Sequence, residues 1–200
     1  MKRLIIVISI IAIGLAIWAG ADYLLSRREV RFDLRGSGYT VEIVTEDGKK
    51  VTKIDNSSNV TLEKGAYFYI IAGTNYQKEI ISFHTNDNQE ITVTPKYLES
   101  YRLKLLEQER AGIIEMISKR YSATGNITVK SLSIHETGAW AYGKINLNDK
   151  PNDIYRFILK KKDDSWEFTI TPTIAINKSE APSKDIPLDI VYDLYKQDIM

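Results

Sequence analysis

"LEKGAYFYIIAGTNYQKEI", residues 62–80, decides how the first half of the chain is read. Gly65 follows the polar corner Glu63-Lys64, and a run of aromatic and β-branched residues follows Gly65. Glycine enters a left-handed conformation at no steric cost, so Gly65 is read as a sharp turn with positive φ. "AYFYIIA" (66–72) then reads as a strand buried on both faces or nearly so, with the ring of Tyr67 packed inward and its hydroxyl at the edge. Gly73-Thr74-Asn75 is the next turn.

The same short rhythm extends to both sides. "EVRFDLR" (29–35) alternates Val30, Phe32 and Leu34 with charged residues, as a half-buried strand does. "GSG" (36–38) breaks it, and "YTVEIV" (39–44) alternates again. "EDGKK" (46–50) is a hairpin turn, with Asp47-Gly48 tolerating positive φ. "KVTKI" (50–54) and "NVTL" (59–62) flank the polar corner "DNSS" (55–58), and "QKEIISFH" (77–84) and "QEITVT" (89–94) close the set across "TNDN" (85–88). Short strands at even spacing, with turn signals between them, predict an all-β sandwich over residues 30–94.

Leu62-x-x-Gly65-x-Tyr67, the alternating strand after it and the turn at Asn75-Tyr76 resemble the PEGA domain, as does the strand-turn-strand start "VEIVTEDGKKV" (41–51). That family is a small sandwich of bacterial and archaeal surface proteins. Asn75 stands where the family has glycine, and asparagine also tolerates the left-handed region. The resemblance covers about a third of the chain. It implies adhesion, spacing or display at a prokaryotic cell surface, with no catalytic residues, and makes Leu62, Gly65, Tyr67 and Tyr76 the residues that determine the fold.

The N-terminal segment is of another kind. Lys2 and Arg3 precede an uninterrupted apolar run from Leu4 to Trp18, followed by Ala19-Gly20-Ala21. Two readings stand. Residues 1–28 form a signal anchor whose helix crosses the lipid bilayer over residues 4–25, about the ~20 residues a crossing needs. Alternatively, the A-x-A pattern marks a signal peptide cleaved after Ala21. The first is the expectation, with the N-terminus inside and the remaining domains extracytoplasmic. A basic start against an apolar core has the form of an export signal, and a long C-terminal domain translocates largely regardless of charge.

Residues 95–200 change period again. Thr94-Pro95 reads as a helix start, with Thr94 as cap and Pro95 at the first helical position. Leu103, Leu106, Ile113, Ile117 and Tyr121 follow at helical spacing, "EQER" (107–110) forms the solvated face, and "SATGN" (122–126) stops the helix. Strands at "ITVKSLSIH", "AWAYGKINL", "IYRFILKKK" and "WEFTITPTIAI" come next, the last two joined by the hairpin Asp163-Asp164-Ser165. "IPLDIVYDLYKQ" (186–197) closes as a helix with Ile190, Val191, Leu194 and Tyr195 as its apolar stripe. A long helix on an antiparallel sheet is α+β. "DDSW" (163–166) after a lysine-rich strand resembles the cystatin-like folds that include the nuclear-transport-factor cone. Trp140 and Trp166 are the further fold-determining residues, and a cone cavity filled by Trp140, Tyr142, Phe157 and Phe168 would speak against a ligand site there.

Little in the sequence points to catalysis. Cysteine is absent, which excludes disulfides, thiolate metal sites and cysteine nucleophiles. His84 and His135 each end a strand without a histidine partner at metal spacing, and read as partly exposed strand histidines whose loss leaves stability and binding nearly unchanged. No P-loop, dinucleotide fingerprint or G-x-S-x-G is present. Asp163-Asp164 and Glu46-Asp47 are solvated turn carboxylates. Lys160, Lys161 and Lys162 point to alternate faces of a strand, so they form no single patch. The net charge of +1 favours no nucleic acid. No cofactor, metal or catalytic residue is expected. The expected function is a membrane-anchored, outward-facing envelope protein that binds or scaffolds a protein or wall polymer. The alternatives are an accessory subunit of an envelope assembly or secretion machinery, and an exported enzyme or small-ligand carrier using the α+β cavity.

Overall fold

The computed structural model describes residues 26–121, 127–147 and 150–196. The chain divides between Pro95 and Lys96 into two compact units.

In the first unit seven strands form two sheets: β1 (Arg27–Leu34), β2 (Thr40–Thr45), β3 (Lys50–Ile54), β4 (Ser58–Glu63), β5 (Ala66–Ala72), β6 (Glu79–His84) and β7 (Gln89–Val93). One sheet has the order β4-β1-β7 and the other β3-β2-β5-β6. Only β1 and β7 run parallel among these pairs. The two-residue period places Val30 and Phe32, Val41 and Ile43, and Leu62 inside. Phe32 joins the sheets, meeting Tyr69 edge-on at 6.0 Å and Phe83 at 5.6 Å between ring centres. The arrangement is sandwich-like.

Two details of the opening stretch are corrected. β5 is not buried on both faces: Tyr67, Tyr69 and Ile71 are buried, while Phe68 and Ile70 on the other side are only half-buried. Gly65 does not have positive φ, whereas Gly36, Gly38 and Gly48 do. The bend at Gly65 is held by hydrogen bonds instead. Its N–H donates to Thr85 Oγ1 at 3.0 Å, its carbonyl accepts from the Thr85 N–H at 3.0 Å, and the fully buried Thr85 hydroxyl donates to the carbonyl of Glu63. A buried hydroxyl with this many partners fixes the turn without any special dihedral.

The second unit contains α1 (Glu99–Tyr121), then β8 (Ile127–Ile134), β9 (Trp140–Leu147), β10 (Lys150–Lys162) and β11 (Ser165–Thr173). Two 3-10 turns (Lys178–Glu180 and Pro182–Lys184) and α2 (Leu188–Lys196) follow. The sheet is an antiparallel meander of order β11-β10-β9-β8. On one face Ile113 and Ile117 of α1 pack with Leu132, Ile134, Ile145 and Phe157. On the other face Trp140, Ile158 and Ile170 pack with Ile176, Ile186, Ile190, Val191 and Leu194. The sheet is thus covered on both sides, by the expected long helix on one face and by the closing helix on the other. The reason is the apolar stripe of α2, which is buried only by lying across the second face.

The expected transmembrane helix over residues 4–25 lies outside the described residues. Among the described residues no helix is long and apolar enough to cross a membrane. α1 has the length but carries charge throughout, and α2 has the apolar stripe but only nine residues. The fold class is corrected accordingly to a mostly β-strand chain with two α-helices among the described residues.

α1 also starts later than its cap signal indicated. Tyr97 donates its N–H to the Glu136 carbonyl at 2.6 Å, and Lys96 pairs with the Glu136 side chain at 2.8 Å. These bonds hold the chain extended until Leu98, whose carbonyl accepts the first helical N–H groups from Tyr101 and Arg102. Leu103 faces solvent, while Glu109 of the expected solvated face turns toward the sheet.

Candidate functional site

The polar residues of the second unit gather on the sheet face beside α2. Strand alternation sends Leu132 and Ile134 of β8 to the α1 side and leaves Ser131 and Ser133 on the other. Their register partners on β9 are Lys144 and Tyr142. α2 brings Asp189 and Asp193, four residues apart and therefore on one helix face. Ser131, Ser133, Tyr142, Lys144, Asp193, Leu194 and Lys196 surround a recess at this place. Lys144 is only 5 % exposed, an unusual setting for a lysine.

Two polar clamps fix the helix over the recess. His135 Nε2 lies 2.9 Å from Asp189 Oδ2, and its Nδ1 lies 2.9 Å from Thr137 Oγ1. The Thr137 N–H donates to Nδ1 at 3.3 Å, which makes Nε2 the protonated nitrogen that donates to Asp189. Tyr142 donates its hydroxyl to Asp193 Oδ2 at 2.9 Å. Burial pushes the Tyr142 phenol well above its ordinary value, and the bond to Asp193 and the charges of Asp193 and Asp189 add to this against Arg102. The phenol therefore stays a hydrogen-bond donor at neutral pH. The recess presents ammonium, hydroxyl and carboxylate groups on a rigid sheet, an arrangement fit for holding a polar group.

The expected fold-determining residues lie elsewhere. Leu62 is buried in the sandwich, and Tyr67 stacks on Phe83 at 5.7 Å. Tyr76 meets Tyr39 at 5.3 Å and donates to the Ser37 carbonyl at 2.7 Å, near the other end of β5. Trp140 is buried beneath α2, with the Lys160 ammonium 5.0 Å from its ring centre. Trp166 donates its indole N–H to Glu109 Oε2 at 3.1 Å, and Lys161 pairs with Glu109 at 2.7 Å. Lys160 and Lys161 thus do point to opposite faces. Of the four aromatic residues named for the cavity, Trp140 and Phe157 fill the two cores, Phe168 packs partly buried against the α1-side core, and Tyr142 lines the recess.

Of the two histidines, His84 is exposed. His135 is buried and bonded, contrary to the expectation of partial exposure, because its partner Asp189 lies 54 residues away. Ser131, Ser133, Lys144 and Asp193 were not singled out from the sequence. The readable signal is the Asp189/Asp193 spacing, which puts both carboxylates on one side of the helix, beside its apolar stripe. Among the described residues no group of three or more His, Asp or Glu is placed to hold a metal ion.

No family model matches the chain, and no curated protein matches it. Among solved structures, a DUF3823 family protein from Bacteroides ovatus ATCC 8483 is similar at 11% identity, over 73% of this chain and 96% of that one, with a TM-score of 0.25.

Proposed function

We propose that the chain is an exported, non-enzymatic module of the cell envelope that binds or scaffolds a protein or a wall polymer. The observation that carries this reading is the recess walled by Ser131, Ser133, Tyr142, Lys144 and Asp193, whose donors and acceptors are held by a sheet and a clamped helix. Such a surface recognises a polar partner through several fixed hydrogen bonds. Both ring nitrogens of His135 are engaged, and Tyr142 holds its proton, which favours recognition over proton transfer. Export is supported by the basic start and apolar run of residues 2–18. The PEGA-like residues Leu62, Gly65 and Tyr67 agree with a surface setting. The test is a photoreactive side chain at Ser133 in intact cells. Capture of one macromolecule, abolished by Lys144→Glu in a folded protein, is expected. Equal capture by the Lys144→Glu protein would overturn the reading.

The near-complete burial of Lys144 favours a second reading, a carrier of a small polar ligand. Native mass spectrometry of the protein from its own cells would then show a bound small molecule that Ser131→Leu removes.

A further inference from the structure

We propose that the first unit binds an acidic peptide segment in the cleft beside Tyr67, apart from the recess of the second unit. β3 is the outer strand of one sheet and β4 the outer strand of the other. The two sheets therefore present their free edges on the same side, joined through residues 55–57. The cleft between them is lined by Arg27, Lys49, Lys50, Val51, Leu62 and Tyr67, with Thr45, Thr61 and Glu63 at its margin. Its floor is apolar: Leu62 and Tyr67 are buried, and Val51 stands exposed at the mouth. Its charge is one-sided, with three cations against the single carboxylate of Glu63. Lys50 also pairs with Glu42 at 3.0 Å.

Charge complementarity and the strand edge together select the occupant. An unpaired edge offers alternating N–H and C=O groups to an extended chain. Lys50 and Lys53 on β3 oppose pairing with a second copy of the same strand, since like charges across a ladder repel. An acidic strand turns that repulsion into attraction. Its alternate residues point to opposite sides. One set enters the cleft and places apolar side chains on Val51 and Tyr67, and the other stays at its mouth, where the long exposed side chain of Lys49 meets the carboxylates. A small anion would leave the apolar floor unused, and a nucleic acid has no extended backbone able to pair with a strand edge.

The experiment is fluorescence anisotropy of the full chain with a labelled decapeptide of alternating Asp and Val. Saturable binding at submillimolar concentration is expected, absent for the Asn-Val peptide of equal length. Lys49→Glu should weaken binding about tenfold or more, as reversal of a charge facing a carboxylate does. Lys49 is exposed, so this variant keeps its fold; coincident circular-dichroism melts check it, and Val51→Asn gives an independent second loss. Lys104→Glu on α1 should change nothing. Equal binding of the acidic and neutral peptides, no saturation at millimolar peptide, or full competition by a single-stranded oligonucleotide of equal charge would each overturn the proposal. None of these results touches Ser133 or Lys144, so failure here and failure of the proposed function are distinguishable.

Discussion

Gly73 lies so close to Tyr76 that a Cβ on the glycine would stand 2.9 Å from the tyrosine Cδ2. The same atom would meet the Gly38 carbonyl oxygen at 2.8 Å and Tyr39 Cβ at 3.0 Å. Backbone and ring atoms on three sides leave little room to give way. A Cβ on Gly65 would meet only Tyr67 Cε2, at an ordinary 3.7 Å. Gly73→Ala is therefore expected to destabilise the first unit by about 1–3 kcal/mol, the range for overpacking. Gly65→Ala is expected to be neutral, or stabilising by up to about 1 kcal/mol through the unfolded chain. Urea unfolding midpoints of the two variants decide this, and the opposite order would mean that the turn at Gly65 is the strained one.

The His135–Asp189 clamp predicts a contrast between the two histidines. His135→Ala leaves Thr137 and Asp189 without their bonds and opens space beneath the β8–β9 turn. A loss of about 1 kcal/mol is expected, the net contribution of a hydrogen bond whose remaining partner, Asp189, turns to water. His84→Ala, at an exposed position, should stay within about 0.5 kcal/mol of the parent chain. Thermal melts read both. Equal melting of the two variants would show that the clamp adds nothing to stability.

What the sequence revealed follows from the range of the interactions. Strand alternation is a local signal, so Val30, Phe32, Val41 and Ile43 could be placed in the core from their neighbours alone. The stripe of α2 was legible for the same reason. Gly65 and Gly73 look alike in the sequence, each opening or closing a strand; only the approach of Gly38 and Tyr39 from another turn tells them apart. His135 was misjudged because a strand end gives no sign of a carboxylate arriving on a helix 54 residues later. Glu109 was assigned to solvent because nothing in "EQER" announces Lys161 and Trp166. The recess joins the β8–β9 hairpin to α2, and no local signal announces that Tyr142 meets Asp193 51 residues later.

The tyrosines give a pH-dependent test. Burial pushes the Tyr39 phenol up to about 12, and the charge of Asp33 adds to it. Tyr142 is raised further, by burial and by Asp193. In the unfolded chain both ionise near 10. Their contribution to stability is therefore fully present below about pH 10 and is lost as pH rises through the folded values. In a spectrophotometric titration at increasing pH, these two should ionise late, above the ordinary tyrosine range. Tyr39→Phe should remove one late-titrating group and flatten the loss of stability above about pH 10. A titration in which every tyrosine ionises together near 10, with the protein still folded, would contradict the buried placement.

Glu109 gives the complementary test in acid. Its hydrogen bond from Lys161 holds its carboxyl below the ordinary value, the indole N–H of Trp166 and the charge of Lys161 assist, and partial burial opposes them. A lowered carboxylate contributes stability that is present above its unfolded value, near 4.3, and that disappears as pH falls through the folded value. Glu109→Gln keeps an oxygen to accept from Trp166 but removes the charge that Lys161 meets. The variant should be less stable than the parent at pH 7, by about 1 kcal/mol or less because the pair is partly solvated. That gap should narrow from about pH 5 downward and close once Glu109 is protonated in both states. Lys119–Glu115, an exposed i,i+4 pair at 2.8 Å on the same helix, supplies the control: Glu115→Gln should produce a smaller gap that added salt removes. Urea unfolding followed by tryptophan fluorescence from pH 3 to 7 measures all three chains. A Glu109→Gln gap that stays constant across this range would show that Glu109 acts through packing rather than through its charge.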